Sequence, residues 1–229
     1  MPNRIKLSII IPTVQKCLRI LDQLTSTLVR DEVVDEIIII NNLPDNKLEF
    51  SKDKIRIITP EKNLYVNASW NLGVKEAKND NIALINDDIL ICNDFCSMVV
   101  NSSIFNNQKT GLIGGTNRTL KNIPSDGVYP IPQVDNKYNL DFRILENHLG
   151  TGDWGITIFG KRQNFYKIPE DIKIIYGDNY LLYQNKLNGY SNYYIANAPI
   201  LHMHSPSSAS SEFSHVIHSD IKEQAKYFK

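Results

Sequence analysis

The amino-acid sequence predicts an α/β fold with a mostly parallel central sheet flanked by helices. Three short apolar runs, at residues 9–11, 37–40 and 82–85, consist almost entirely of aliphatic side chains. Continuous runs of this kind are typical of parallel strands that are covered on both faces. Stretches with helical periodicity lie between them, and polar residues follow each strand. Strands that alternate with helices in this way favour a doubly wound sheet.

The first elements follow one another in the expected order. A strand at residues 7–12 stops at Pro12, because proline lacks the amide that a strand donates. A helix is predicted next, since apolar residues recur at three- and four-residue steps from Cys17 to Leu28. Two further strands are predicted at residues 35–42 and 54–59. The strand–helix–strand unit is expected to form a right-handed crossover.

A second helix is predicted from about residue 66 to residue 77, with Gly73 inside it. Glycine costs about 1 kcal/mol relative to alanine in a helix interior. We therefore expect another segment of the backbone to approach closely at Gly73. The strand at residues 82–85 comes next, followed by a helical stripe from Phe95 to Phe105 and a strand at residues 111–115.

Beyond Gly115 the periodicity fails. Residues 116–150 contain three prolines and many polar residues, which predicts a long loop. Such a loop is either a lid or acceptor-binding segment, or a disordered insertion. Further strands are predicted at residues 156–158, 171–177, 193–196 and 200–204, and a short polar helix near the C-terminus. Asp178 comes directly after the second of these strands, where a helix N-cap is expected.

Composition excludes several functional classes. The 25 Lys and Arg residues balance the 25 Asp and Glu residues, so no strong field attracts nucleic acid or an anionic membrane. No apolar run approaches 18 residues and no secretory leader follows Met1, so neither a membrane span nor export is expected. A cytoplasmic protein is the expectation. Its three cysteines are then expected to be reduced.

The amide Asn86 and the acids Asp87 and Asp88 follow the strand at residues 82–85. In an open α/β sheet, ligands bind at the carboxyl ends of the strands. Adjacent residues in extended chain point to opposite sides, so one acid can face a ribose while the other binds a divalent cation. Alternatively, the two acids only begin a solvated turn and cap the next helix.

Six short motifs carry a family resemblance. They are residues 8–13 (SIIIPT), 40–42 (INN), 63–73 (NLYVNASWNLG), 86–88 (NDD), 177–179 (GDN) and 202–204 (HMH). In order and spacing they resemble the family 2 glycosyltransferases, which have the GT-A fold, over residues 7–208. The resemblance implies an inverting hexosyl- or deoxyhexosyltransferase that moves a sugar from a nucleoside diphosphate to an acceptor hydroxyl.

The resemblance implies a donor site at the carboxyl edge of the sheet. The first two strand ends would frame the nucleobase and ribose, the second helix would contact the nucleotide sugar, and Asp87 would face the ribose or the donor sugar. The implied donor-binding residues are Pro12, Thr13, Asn41, Asn42, Asn67, Asn71, Asn86, Asp87 and Asp88.

The resemblance also implies a metal cofactor. Asp88 corresponds to the last acid of the family's Asp-x-Asp motif and would bind Mn²⁺ or Mg²⁺ bridging the diphosphate. His202 or His204 would supply a further ligand or a contact to the diphosphate. The alternative for each histidine is a packed or surface position.

Asp178 is the implied general base, because inverting transfer needs a carboxylate that takes the proton of the attacking hydroxyl. Its alternative is a helix cap without a catalytic role. Asp153 and Trp154 are assigned to the acceptor, with the indole as a stacking platform for a sugar. A buried position in the core is the alternative for Trp154.

The sequence departs from the family pattern at Asn86 and at Asn179, where acids are usual. The first departure is tolerable if Asp88 holds the metal, and the second leaves Asp153 as a competing base. Both departures keep open a non-catalytic module that binds sugar nucleotides or glycans. A nucleotidyltransferase is a further alternative, although residues 13–16 contain no glycine for the phosphate-binding loop that it needs.

The expected organisation is a single GT-A domain with two halves and a tail. Residues 1–115 would bind the nucleotide sugar, residues 116–208 would bind the acceptor and supply the base, and residues 209–229 would form a C-terminal tail or helix. The expected partners are a UDP-, GDP- or dTDP-linked donor and a glycan or lipid-linked acceptor. The expectation includes no nucleic acid, and it leaves room for peripheral membrane association and for a homodimer.

Overall fold

The computed structural model describes residues 5–115, 118–119, 129–146, 154–203 and 211–228. Asp153 and His204, which the sequence assigns to the acceptor and to the metal, lie outside the described residues. The large sheet contains, in spatial order, β3 (Ile55–Ile58), β2 (Val34–Asn41), β1 (Leu7–Thr13), β4 (Asn81–Ile85), β9 (Thr157–Lys161), β6 (Thr110–Gly115), β10 (Ser191–Ile195) and β8 (Phe142–Ile144). The smaller sheet contains β5 (Ile89–Ile91), β11 (Ile200–His202) and β7 (Arg118–Thr119).

The large sheet is mostly parallel, as the sequence predicts. The strands β3, β2, β1 and β4 are parallel to one another. β9 is inserted antiparallel between β4 and β6, and β10 continues parallel to β6. The edge strand β8 is antiparallel to β10 and, with β7, lies in the stretch that the sequence predicts as one long loop.

Helices cover both faces of the large sheet. One face carries α1 (Leu18–Leu28), α3 (Phe95–Val100) and α4 (Ser103–Asn106), and the other carries α2 (Tyr65–Glu76) and α5 (Gly177–Leu187). Side chains alternate along each strand, so Ile9 and Ile11 pack in the first layer and Ile10 in the second. The C-terminal helix is α6 (Ser214–Glu223).

Gly73 lies in a close contact, as expected, but the neighbour is a side chain and not backbone. A Cβ atom at this position would lie 2.3 Å from Cγ2 of Ile10, which is fully buried in β1. The glycine therefore lets α2 lie directly on the centre of the sheet.

The strand predicted at residues 171–177 is wrong. This segment has an irregular backbone that leads into α5 at Gly177. Side chains replace the strand ladder here: Asn67 donates to the carbonyl oxygens of Ile172 and Ile175, and Asp220 accepts the amides of residues 173–175. Ile172 is therefore buried without strand pairing, and Ile174 and Ile175 stay partly exposed.

Across the described ranges, the structure contains no helix that is both long and apolar enough to cross a bilayer.

Candidate functional site

Parallel strands bring their carboxyl ends to one edge of the sheet, and a crevice opens there. Thr13 at the end of β1 is level with Asn41 at the end of β2, and the amide of Asn42 donates to the Thr13 carbonyl at 2.8 Å. The residues after β4 complete this edge. The crevice has a volume of about 480 Å³. Its lining includes Pro12, Thr13, Asn42, Tyr65, Trp70, Asn86, Asp87, Asp88, Ile174, Ile175, Tyr176, Asp178, His202 and Phe213.

Asp87 is linked to the end of the first strand. The Thr13 hydroxyl donates to Asp87 Oδ2 at 2.6 Å, and the Thr13 oxygen accepts the Gln15 amide at 2.9 Å. Burial raises the pKa of the Asp87 carboxyl to about 7; the neighbouring charge of Asp88 acts in the same direction, whereas the bond from Thr13 opposes the rise. Ionised Asp87 is therefore unfavourable here unless a positive charge or a donor group lies nearby.

Asp88 is paired with a histidine from the smaller sheet. The pairing of β5 with β11 brings His202 level with Ile89, and the Met203 amide donates to the Asp88 carbonyl at 2.9 Å. Asp88 Oδ2 and His202 Nε2 lie 3.2 Å apart, and both side chains are buried. The other carboxylate oxygen of Asp88, Oδ1, is buried and has no hydrogen-bond partner among the described residues.

These two side chains fit a divalent cation as a partial ligand set. A buried carboxylate oxygen without a partner is unfavourable, and coordination of a cation would satisfy it. His202 offers one imidazole nitrogen beside it. The described part of the chain contains no cluster of three metal-ligating side chains. The remaining ligands would be diphosphate oxygens and water, which Mg²⁺ retains in most of its sites.

Asp178 is the second residue of α5 and reaches the crevice from the first turn of the helix. The N-cap is Tyr176 and not Asp178. Its Oδ1 accepts the amide of Asn179 at 2.9 Å. Gly155 forms the wall behind the carboxylate, and a Cβ there would lie 2.5 Å from Asp178 Oδ2. Burial raises the pKa of Asp178 above the ordinary carboxyl value, against the opposing effect of hydrogen bonds from backbone amides. A higher pKa makes the carboxylate a stronger proton acceptor.

Three residues assigned to the donor do not line the crevice. Asn41 is fully buried and its amide group donates to the carbonyls of Leu43 and Asn46. Asn67 is fully buried against the segment that precedes α5. Asn71 exchanges two hydrogen bonds with the backbone of Ile168. All three therefore make contacts that shape the surrounding backbone.

Trp154 lies in the core. Its side chain is fully buried, and the indole N–H donates to the carbonyl of Tyr193 at 3.1 Å. A ring without an exposed face cannot stack on a sugar. The structure therefore places Trp154 where the alternative interpretation puts it, and not on the acceptor side of the crevice.

Several lining residues were not singled out as site residues by the sequence patterns. Tyr65 and Tyr176 both have left-handed backbones, with φ of 61° and 64°. Phe213 meets the Tyr65 ring edge-on at 6.1 Å between centroids. Trp70 has a buried indole N–H without a partner among the described residues. Nothing in the local sequence reveals these positions, although Tyr65 and Trp70 lie within the resembling motif at residues 63–73.

Comparison with known proteins gives one family and one fold. The family model described as glycosyl transferase family 2 matches residues 8–169. No curated protein is a significant sequence match to the chain.

The similar solved structures share little sequence with this chain. The structure of S. aureus TarS 1–349 has a TM-score of 0.59 at 13% identity, covering 88% of this chain and 61% of that one. The same TarS fragment in complex with UDP gives 0.61 at 14% identity, with 98% and 67% covered. GalNAc-T7 with UDP, GalNAc and Mn²⁺ gives 0.62 at 11% identity, with 89% and 45% covered.

At these identities the structures establish the fold, and the chain spans about three fifths of the first TarS structure. The family model adds the sequence relationship, since it matches well over half of the chain. The chain therefore belongs to glycosyl transferase family 2 and has the GT-A fold.

Proposed function

We propose that this chain transfers a sugar from a nucleoside diphosphate donor to a hydroxyl group of a glycan or glycolipid, with inversion at the anomeric carbon. The observation that carries the proposal is that Asp87, Asp88 and Asp178 line one crevice of about 480 Å³, although Asp178 is far in sequence from the two neighbouring acids. Such a space accommodates a donor whose diphosphate lies near Asp88 and whose sugar faces Asp178. Membership of the family supports transfer over nucleotidyl chemistry.

A divalent cation is part of the proposal. Asp88 and His202 would hold Mn²⁺ or Mg²⁺, which would neutralise the charge that develops on the departing nucleoside diphosphate. One of the two TarS structures and the GalNAc-T7 structure contain UDP, and the latter also contains Mn²⁺. UDP-linked sugars are accordingly the first donors to test, followed by GDP- and dTDP-linked sugars.

The proposed reaction assigns the proton to Asp178. Its carboxylate accepts the proton of the acceptor hydroxyl while that oxygen attacks the anomeric carbon from the face opposite the leaving group. Asp87, fixed by Thr13, contacts the ribose or the donor sugar, with Asn86, Asn42 and Pro12 in the same wall. The apolar side chains of Tyr65, Trp70 and Phe213 limit the access of water to the donor.

The proposal is tested with purified protein, Mn²⁺ and a panel of UDP-, GDP- and dTDP-sugars, by measuring the release of nucleoside diphosphate in the presence of acceptors. Wild-type protein is expected to turn over one donor class, and the anomeric configuration of the product, measured by NMR, is expected to be inverted. Asp178→Asn is expected to reduce kcat by at least about 10²-fold, the low end for a catalytic acid or base. Asp88→Asn is expected to reduce turnover because it removes the charged ligand of the cation.

Asp53→Asn is the matched control, because Asp53 is an exposed carboxylate before β3, at the opposite edge of the sheet. Its turnover should equal that of the wild type. Asp178→Asn should also unfold at an equal or higher temperature, since burial makes the ionised carboxylate unfavourable in the folded state. Wild-type turnover by Asp178→Asn would refute the role of the base, and pyrophosphate formation from a nucleoside triphosphate would indicate a nucleotidyltransferase.

Location in the cytoplasm, a homodimer and peripheral membrane association stay predictions of the sequence, as do the acceptor role of Asp153 and the metal role of His204.

A further inference from the structure

A buried carboxylate on the C-terminal helix binds the backbone beside the crevice through three hydrogen bonds, which we call the grip of Asp220. Asp220 lies on α6 and is fully buried. Its Oδ1 accepts the Lys173 amide at 2.9 Å, and its Oδ2 accepts the amides of Ile174 at 2.7 Å and Ile175 at 3.0 Å. Three consecutive amides that converge on one carboxylate compensate for much of the cost of burying its charge.

The gripped segment forms part of the crevice and leads to the proposed base. Ile174 and Ile175 line the crevice, and Asp178 follows three residues after Ile175. Between them, Tyr176 has a left-handed backbone with φ of 64°. A bulky residue in this conformation persists only where the surrounding structure enforces it. The path of the segment therefore determines where α5 begins and where Asp178 points.

Asn67 holds the same segment by hydrogen bonds to its carbonyl groups. The Asn67 side chain donates to the carbonyls of Ile172 and Ile175 at 3.1 and 3.3 Å, and its own amide donates to the Lys173 carbonyl at 2.9 Å. Asp220 thus satisfies amides of the segment while Asn67 satisfies carbonyls. The backbone has no regular secondary structure here and depends on these two side chains.

Helix α6 and the residues that follow it have contacts of their own that do not involve this carboxylate. Val216 is buried, and the Tyr227 hydroxyl donates to Asp171 at 2.5 Å. The Tyr227 and Phe228 rings meet those of Tyr180 and Tyr183 on α5, with centroids 5.9 and 5.7 Å apart. Removal of the Asp220 charge would therefore leave these docking contacts in place.

We infer that Asp220 is a positioning residue for the proposed transfer: its carboxylate fixes residues 173–175 so that Asp178 faces the crevice. The inference rests on the proposed function. It assigns to the C-terminal helix a part in forming the site, although α6 lies outside the residues that the family model matches.

The test variant is Asp220→Asn. An amide has one accepting oxygen, and its NH₂ group would face at least one of the three N–H donors, so the grip is weakened at constant shape. Asp220→Ser, which keeps a single hydroxyl acceptor, replaces it if Asp220→Asn does not fold. Two matched controls use the same surroundings. Val216→Ala loosens α6 and keeps the carboxylate, and Asp171→Asn alters the neighbouring contact with Tyr227.

Two measurements are made on each variant: hydrogen exchange of the amides at residues 173–175, and kcat and donor KM with the best donor. For Asp220→Asn we expect exchange at these amides to be at least about tenfold faster, kcat to fall about 10- to 100-fold and donor KM to stay within about threefold, because a small misplacement of a reacting group has effects of this size. Val216→Ala and Asp171→Asn are expected to keep kcat within about threefold, as they leave the grip intact.

Unchanged exchange at residues 173–175 in Asp220→Asn would overturn the inference. Faster exchange with wild-type kcat would also overturn it, while leaving the proposed function in place. An equal loss of kcat in Val216→Ala would show that stability alone is responsible. If the wild-type protein neither binds nor turns over any donor, the proposed function fails and the positioning role fails with it; the exchange data would then still show whether Asp220 grips the segment.

Discussion

At the scale of single residues, the carboxylate of Asp178 and the glycine behind it form one functional unit. Gly155 leaves no room for a side chain, since its Cβ would lie 2.5 Å from Asp178 Oδ2. The carboxylate is the end of a short side chain, so it would move aside more easily than the backbone. A methyl group at residue 155 should therefore affect the direction of the carboxylate more than the stability of the fold.

We predict that Gly155→Ala reduces kcat by about 10- to 100-fold, because the displaced carboxylate no longer meets the acceptor hydroxyl in the reacting geometry. The loss of stability should stay below about 1.5 kcal/mol, as in other substitutions that the surroundings can accommodate. Steady-state kinetics and urea unfolding measure the two effects. A variant with wild-type kcat would show that Asp178 tolerates displacement or is not the base.

The pH dependence of turnover follows from the raised pKa of Asp178. A base must be deprotonated, so kcat at saturating donor should fall as the pH decreases through a value above the ordinary carboxyl pKa of about 4. Saturating donor is needed because Asp87, whose pKa is raised to about 7, is the residue that we propose contacts the donor, so its protonation would change KM. A pH–rate profile that is flat down to about pH 4 would contradict the assignment.

Asp87 and Asp88 could be predicted from the sequence because they follow the apolar run of β4, where a strand end is expected. Asp178 is expected after a strand that the structure does not contain, so only the family resemblance points to it. Trp154 could not be placed in the same way, since its burial depends on the packing of β6 and β10 around it. Asp220 carries no sequence signal at all. Its function depends on a segment 45 residues earlier in the chain, and only the folded structure brings the two together.

At the scale of elements, α2 packs so closely against β1 that there is no room for a side chain at Gly73. Gly73 lies on Ile10, whose branched side chain is fully buried between the sheet and α2. The sequence predicts this close approach from the cost of a glycine inside a helix. It does not predict the irregular segment at residues 171–176, because the apolar pattern there is that of a strand while Asn67 and Asp220 take the backbone hydrogen bonds.

We predict that Gly73→Ala destabilises the protein by about 1–3 kcal/mol through overpacking, although alanine is the better helix former by about 1 kcal/mol. Chemical denaturation measures the change in the free energy of unfolding. Lys75→Ala on the exposed side of the same helix is the control and should be neutral within about 0.5 kcal/mol. Greater stability of Gly73→Ala would mean that the helix can move away from the sheet.

At the scale of the whole molecule, the site is assembled from both sheets and from the C-terminal helix. A ligand that bridges these parts should stabilise the folded state by mass action, by about 2.7 kcal/mol at a concentration of 100 Kd. Asp88 directly precedes β5 and His202 is the last residue of β11, so a shared cation would join two neighbouring strands of the smaller sheet. The fold class and the first four strands along the chain follow from the sequence, whereas the order of the strands in the sheet and the insertion of β9 depend on long-range pairing.

We predict that UDP raises Tm more in the presence of Mn²⁺ than in its absence, because the cation would link the diphosphate to Asp88. Differential scanning calorimetry measures the shift. In Asp88→Asn the increment due to Mn²⁺ should be lost, while the control Asp53→Asn should keep it. An equal increment in Asp88→Asn would place the cation elsewhere.

The antiparallel strand β9 also has a consequence for biosynthesis. It lies between β4 and β6, so the sheet cannot join its two sides until residues 157–161 have left the ribosome. A nascent chain that ends near residue 115 exposes the unpaired edge of β4, and such an edge can pair with other chains. Truncated chains that end before β9 should therefore be prone to aggregation during translation, even though they contain both Asp87 and Asp88.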